Sequence, residues 1–165
     1  MFCVEIDDQT SSWKTQNTGI RQGCTLSPYL FLILMTTVMY DVHGSPELDQ
    51  ELKNNRPINY DIDEVLYADD TILCSTNAKT LEKLLHRIED IGLQYGLFLN
   101  KDKCDAISTN EKAKSIKFKT GEKVTRKTET KYLGCKINYK ADIDTELNKR
   151  ISETVSLGMR SEAFK

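Results

Sequence analysis

Paired cysteines, clustered histidines and a long apolar run are all missing from this 165-residue sequence. The five cysteines, Cys3, Cys24, Cys74, Cys104 and Cys135, are odd in number and never stand as a CxxC pair. His43 and His86 stand alone. Zinc-site spacing and a disulfide framework are thereby excluded, and a reducing interior is the simpler setting. The most apolar stretch, Tyr29 to Tyr40, is about a dozen residues long where a membrane span needs about 20. It also carries two threonines, so it reads as a buried core helix with no membrane partner. The first residues, Met1-Phe2-Cys3-Val4-Glu5, meet acids at once and do not read as a signal peptide. No internal repeat and no low-complexity tract is present.

What remains is an ordinary globular composition, with 39% hydrophobic and 29% charged residues, in a chain long enough to bury a core. The net charge of −2 conceals an asymmetry. From Asn100 to Lys165 there are 16 Lys and Arg against 10 Asp and Glu, a balance of +6; the first 99 residues hold the other 7 and 15, a balance of −8. A basic half suits a surface that meets phosphates, and an acidic half suits cations. A solvated lysine-rich surface would give the same count.

The three prolines help to divide the chain. Val4 to Ile6 reads as a short strand before a polar turn at Asp7, Asp8 and Gln9, with a weaker strand over residues 12–18. Ser27-Pro28 opens a helix, since serine caps and proline suits the first helical position. That helix is expected to reach Met39 and to stop before Gly44-Ser45-Pro46. Ile62, Val65, Leu66 and Tyr67 make one strand and Thr71 to Cys74 another, so Ala68-Asp69-Asp70 should form a tight hairpin. Leu81, Leu84, Leu85, Ile88 and Ile91 recur at helical spacing, with Thr76 or Asn77 as the cap and Gly96 as the stop. Residues 116–118 and 123–125 flank Gly121 as a small hairpin, Tyr132 to Ile137 reads as a strand, and residues 142–159 as a helix. The fold class is α+β: a short antiparallel sheet backed by helices.

Two segments carry candidate chemistry. Asp69 and Asp70 are adjacent carboxylates at a hairpin tip. Mg²⁺ takes hard oxygen ligands and leaves room for phosphates, so a carboxylate on an exposed turn suits it. Aspartate is also common in solvated turns. The second segment runs from Gly19 to Phe31. Its glycines allow close backbone approach, Arg21 and Gln22 offer donors, and a helix N-terminus follows. An ordinary loop before a core helix fits equally well. Cys24, Cys74 and Cys135 read as buried small residues, and Trp13 as packing.

Taken together, the segments resemble the reverse transcriptases of non-LTR, LINE-type retrotransposons and, more distantly, those of group II introns. The glycine-to-phenylalanine segment resembles the family's motif after the first catalytic aspartate, with Thr25 where proline is usual. Tyr67-Ala68-Asp69-Asp70 resembles the polymerase box. Gly96-Leu97-Phe98-Leu99-Asn100-Lys101-Asp102-Lys103 resembles the next motif, and Tyr132-Leu133-Gly134 the one that grips the primer end. The resemblance implies a polymerase palm and an RNA-directed DNA polymerase acting on an RNA template, a DNA primer and deoxynucleoside triphosphates inside the cell. It implies catalytic Mg²⁺ on Asp69, with Asp70 as its neighbour, and Lys103 near the nucleotide phosphates. Arg21, Gln22 and Gly23 would border the nucleotide and template base. Tyr132, Leu133 and Gly134 would touch the primer. The helix bearing Leu81, Leu84 and Leu85 should pack under the sheet that carries the aspartates.

The family also needs a metal-binding aspartate from a strand well upstream of the glycine motif. Only 18 residues precede Gly19, and Asp7 and Asp8 lack the surrounding pattern, so neither is assigned. The expectation is a partial reverse transcriptase palm over residues 1–140, then a helix over 141–165 that could begin a thumb or connection. The isolated chain is expected to be inactive. The alternatives are a non-catalytic nucleic-acid-binding remnant or a degenerate element copy.

Overall fold

A computed structural model describes residues 1, 3–15, 19–20, 23–57, 61–140, 144 and 146–152. In chain order the elements are β1 (Glu5–Ile6), β2 (Gln9–Thr10), α1 (Ser27–Val42), α2 (Pro46–Asn54), β3 (Glu64–Tyr67), β4 (Asp70–Leu73), α3 (Ala78–Gln94), a 3-10 turn (Lys101–Lys103), β5 (Asp105–Ala106), β6 (Thr125–Arg126), β7 (Glu129–Tyr132) and β8 (Cys135–Asn138). Residues divide into two compact units, Met1–Thr37 and Val38–Lys165.

The first unit opens with the β1–β2 hairpin. Its two turn residues, Asp7 and Asp8, both have positive φ, as a short primed hairpin turn requires. Ser11 closes the base, its amide donating to the Val4 carbonyl at 2.8 Å. Of the weak strand over 12–18, residues 16–18 lie outside the described residues, and Lys14 makes only an isolated bridge. Trp13, expected to pack, is 67% exposed.

Helix α1 starts at Ser27-Pro28 as its residues dictate, but it runs on to Val42. It is not a buried core helix along its length. Ser27, Val38, Met39 and Val42 are buried, whereas Tyr29, Leu30, Leu32, Ile33 and Tyr40 are exposed.

The second unit is organised on α3. The Asn77 side chain accepts from the Lys79 amide at 2.9 Å and supplies the N-cap. At the other end Gly96 adopts φ +71. The Leu97 amide reaches back to the Gly92 carbonyl and the Gly96 amide to that of Leu93, a complete Schellman closure. Helix α2, which the charged stretch did not announce, is capped by Ser45 and packs on α3. It buries Leu48 and Leu52. On another part of α3, Leu85 forms a core with Phe118 and Val124, flanked by Cys104, Ala106 and Ile116. The expected turn around Gly121 is present: Phe118 and Val124 amides bond across it, and Lys117 bridges Lys123 antiparallel.

The mixed α+β class holds, but the strands do not merge into one sheet. Among the described residues they form four separate two-stranded ladders, and β5 with β6 is parallel. The strands are only two to four residues long. Tyr132 to Ile137 is not one strand. It is the hairpin β7–β8, turned at Leu133-Gly134, where both residues have positive φ. Of the terminal helix, residues 144 and 146–152 are helical, and the remainder of 142–159 lies outside the described residues.

Candidate functional site

The Tyr67-Ala68-Asp69-Asp70 segment forms the tip of the β3–β4 hairpin. Tyr67 pairs with Asp70 as the closing rung, so the loop is just Ala68 and Asp69. Ala68 takes φ +52, the left-handed conformation that the first position of a primed turn needs. Asp69 therefore sits on the turn and Asp70 begins β4. Both are exposed, and their carboxylates make no hydrogen bond or ion pair with described residues. They are free to take a ligand.

The base of this hairpin is held far more firmly than its tip. Arg56 donates from Nε and Nη2 to Asp63 Oδ2 at 3.1 and 3.0 Å, and it also pairs with Asp61. The Cys74 amide donates to the Asp63 carbonyl at 2.7 Å, and the Thr76 amide to that of Asn55 at 2.8 Å. His43, between α1 and α2, spans two acids: Nδ1 lies 3.1 Å from Asp49 Oδ1 and Nε2 lies 3.2 Å from Glu64 Oε2. The second contact is close enough for an ion pair but is not aligned as a hydrogen bond, and Glu64 Oε2 is otherwise buried without a partner. Burial pushes the Glu64 carboxyl up, against the pull of His43. Burial lowers the His43 imidazole, but Asp49 and Glu64 outweigh it and its net shift is upward. Neither histidine is isolated, since His86 Nε2 also meets the Lys117 carbonyl at 2.8 Å. The ties at the base of the aspartate hairpin join residues up to 21 positions apart, so no local motif could reveal them.

The other expected site residues fall on separate elements. Lys103 ends the 3-10 turn, exposed and without an ion pair among the described residues. Tyr132, Leu133 and Gly134 lie at the β7–β8 tip, with Leu133 exposed and the Tyr132 hydroxyl buried without a hydrogen-bond partner among the described residues. No hydrogen bond or ion pair among the described residues joins the aspartate hairpin, Lys103 and the β7–β8 tip. Gly23 belongs to the first unit and has φ +81 with open space where a Cβ would stand. Arg21 and Gln22 lie outside the described residues. The cysteines differ from expectation: Cys24 is exposed, and Cys74 and Cys135 are only part-buried. Helix α3 packs on α2, and its Leu85 meets Phe118 and Val124 of the 116–124 segment.

A family model described as reverse transcriptase (RNA-dependent DNA polymerase) matches residues 1–137. The chain belongs to the reverse transcriptase family. Comparison with curated proteins and with solved structures gave no match. Reverse transcriptases use a nucleic-acid template, deoxynucleoside triphosphates and a divalent metal. The donor set here is compatible with such an ion, since the two carboxylates are hard oxygen ligands on an exposed turn. Among the described residues no group of three or more His, Cys, Asp or Glu side chains is assembled that could enclose one. No helix of the described residues is long and apolar enough to cross a membrane.

Proposed function

We propose that this reverse transcriptase chain is part of the palm of a non-LTR, LINE-type retrotransposon polymerase, and that Asp69 is a ligand of catalytic Mg²⁺ with Asp70 as the weaker neighbour. The observation that carries the reading is the exposed two-residue turn, with two unengaged carboxylates at its end and a firmly tethered base. A tethered base and free tip suit a group that must meet a metal and a nucleotide phosphate. Lys103 would stand near the nucleotide phosphates, Arg21, Gln22 and Gly23 by the nucleotide and template base, and Tyr132, Leu133 and Gly134 against the primer. The last helix would begin a thumb or connection. The setting would be intracellular.

Two carboxylates on one hairpin do not make the two-ion arrangement that stabilises both oxygens of phosphoryl transfer. The 165-residue chain alone is therefore proposed to be inactive. Primer extension on an RNA template with Mg²⁺ tests that: robust synthesis abolished by Asp69→Ala would refute it. The metal reading has its own test. Mn²⁺, substituting for Mg²⁺, should broaden the amide resonances of residues 67–71 selectively, and Asp69→Ala should remove the effect. Broadening that ignores this hairpin would sink the assignment.

A second reading, nucleic-acid binding without chemistry, is favoured by the +6 balance from Asn100 onward. It expects salt-sensitive binding of RNA or DNA that survives Asp69→Ala.

A further inference from the structure

The 116–124 hairpin lies outside every motif discussed above, and its charge arrangement is unusual. Lys117 and Lys123 are bridge partners, so their side chains leave the same face of the two strands. The opposite face is the buried one, carrying Phe118 and Val124 onto Leu85 of α3. The two lysines thus stand exposed and directly opposite one another. Like charges in that position destabilise a strand pair.

A neighbouring acid would be the ordinary remedy, and the chain shows one elsewhere. In β7–β8, Lys131 stands opposite Lys136, and there Glu129 reaches Lys136 at 2.6 Å. At the 116–124 hairpin the acids are present but committed to other work. Glu82 Oε2 accepts from the Lys117 backbone amide at 2.7 Å, and Glu89 Oε2 from the Lys119 amide at 2.9 Å. These two contacts, together with His86 on the Lys117 carbonyl, fix one edge of the hairpin to α3. Asp90 takes the Lys119 ammonium. Glu122 takes Lys101 and the Thr120 hydroxyl. Neither the Lys117 nor the Lys123 ammonium has an ion pair among the described residues. The hairpin is held rigidly by its backbone and core face, while two cations are left together on the outer face.

We propose that Lys117 and Lys123 form a clamp for the phosphate backbone of a nucleic acid. A phosphodiester between the two ammonium groups removes their mutual repulsion, and lysine is suited to phosphate as a compact point charge. The clamp rests on the reverse transcriptase reading only for the identity of the polyanion. Its position is independent of Asp69, Lys103 and the β7–β8 tip.

The test is fluorescence anisotropy of the full 165-residue chain with a labelled single-stranded oligonucleotide over a salt series. Each phosphate contact contributes about 0.7 to the slope of log affinity against log salt for a single strand. Lys117→Gln and Lys123→Gln should each lower the slope by about 0.7, and the double variant by about 1.4. Lys117→Arg with Lys123→Arg should retain the wild-type slope, and Lys53→Gln on α2 should leave it unchanged. The thermal midpoint of the double Gln variant without oligonucleotide should hold or rise, since repulsion is relieved. An unchanged slope, or a wild-type chain that binds no oligonucleotide at low salt, would overturn the clamp. Asp69-dependent metal binding is unaffected by any of these outcomes, so the clamp can fail while the polymerase reading stands.

Discussion

A carboxylate taken out of water needs a partner, and among the described residues Glu64 finds it in His43. The consequence is a pH dependence with a definite sign. Glu64 is raised from its ordinary 4.5 by burial, and His43 is raised from 6.5, where Asp49 and Glu64 outweigh its burial. Both groups hold a proton more tightly folded than unfolded. The folded chain therefore binds more protons near neutrality, and its stability falls as pH rises. The His43 contribution is fully present below pH 6.5 and is lost as pH climbs through the higher folded value. Asp105 works in the opposite sense at the acid end. Lys127 and then Thr130 hold its carboxyl below 3.8, so its contribution disappears as pH falls through the lower folded value. Urea denaturation from about pH 6 to about pH 8 should show the wild type losing stability, with His43→Gln largely flattening the profile. A wild-type curve that rises over this range would contradict the bridging role. None of this was legible in the sequence. His43 reads as solitary because its partners stand 6 and 21 residues away in the chain.

At the scale of elements, legibility followed how local the determining physics is. Helix α3 could be read because its apolar period, Asn77 cap and Gly96 stop all lie within the segment. Its cap carries a prediction: Asn77→Ala leaves the Lys79 amide unsatisfied and should cost about 1 kcal/mol, measured by chemical denaturation. Asn77→Asp, which keeps an acceptor, should cost far less. Helix α2 was obscured because Ser45-Pro46 ends one helix and begins another, and only Leu48 and Leu52 mark its buried side. The hairpin β7–β8 was hidden for a different reason. Leucine is not a turn residue, yet Leu133 holds φ +50 at the tip. Ala68 is in a similar position in the aspartate hairpin, at φ +52. There glycine has no steric penalty, so Ala68→Gly should stabilise the chain by up to about 1 kcal/mol, less the entropy that glycine loses on folding. An equal or larger loss of stability would mean that the turn is not held in this conformation. The family could be recognised from the order of the motifs, and the candidate site residues are what that resemblance implies. The ties that fix the hairpin's base, Arg56 to Asp63 and His43 to Glu64, could not.

For the whole molecule, the limiting quantity is apolar surface left in water. On α1, Tyr29 is 66%, Leu32 54% and Ile33 64% exposed, and on β3 Val65, Leu66 and Tyr67 are exposed as well. Isolated two-stranded ladders are marginal in water and present unpaired edges, and the four ladders among the described residues are of that kind. The i, i+3, i+4 spacing of Tyr29, Leu32 and Ile33 puts them on one face of α1, an apolar patch that soluble monomers rarely leave uncovered. A net charge of −2 supplies little repulsion between molecules. The purified chain should therefore bind a hydrophobic dye such as ANS and elute in size-exclusion chromatography with a concentration-dependent associated fraction. Leu32→Lys with Ile33→Lys places two charges on the exposed part of α1 without touching Val38, Met39 or Val42, the apolar residues that this helix buries. That variant should lower both the dye signal and the associated fraction while leaving the helical circular-dichroism signal in place. A wild-type chain that is monomeric and dark to the dye at high concentration would mean that the α1 surface is covered in solution.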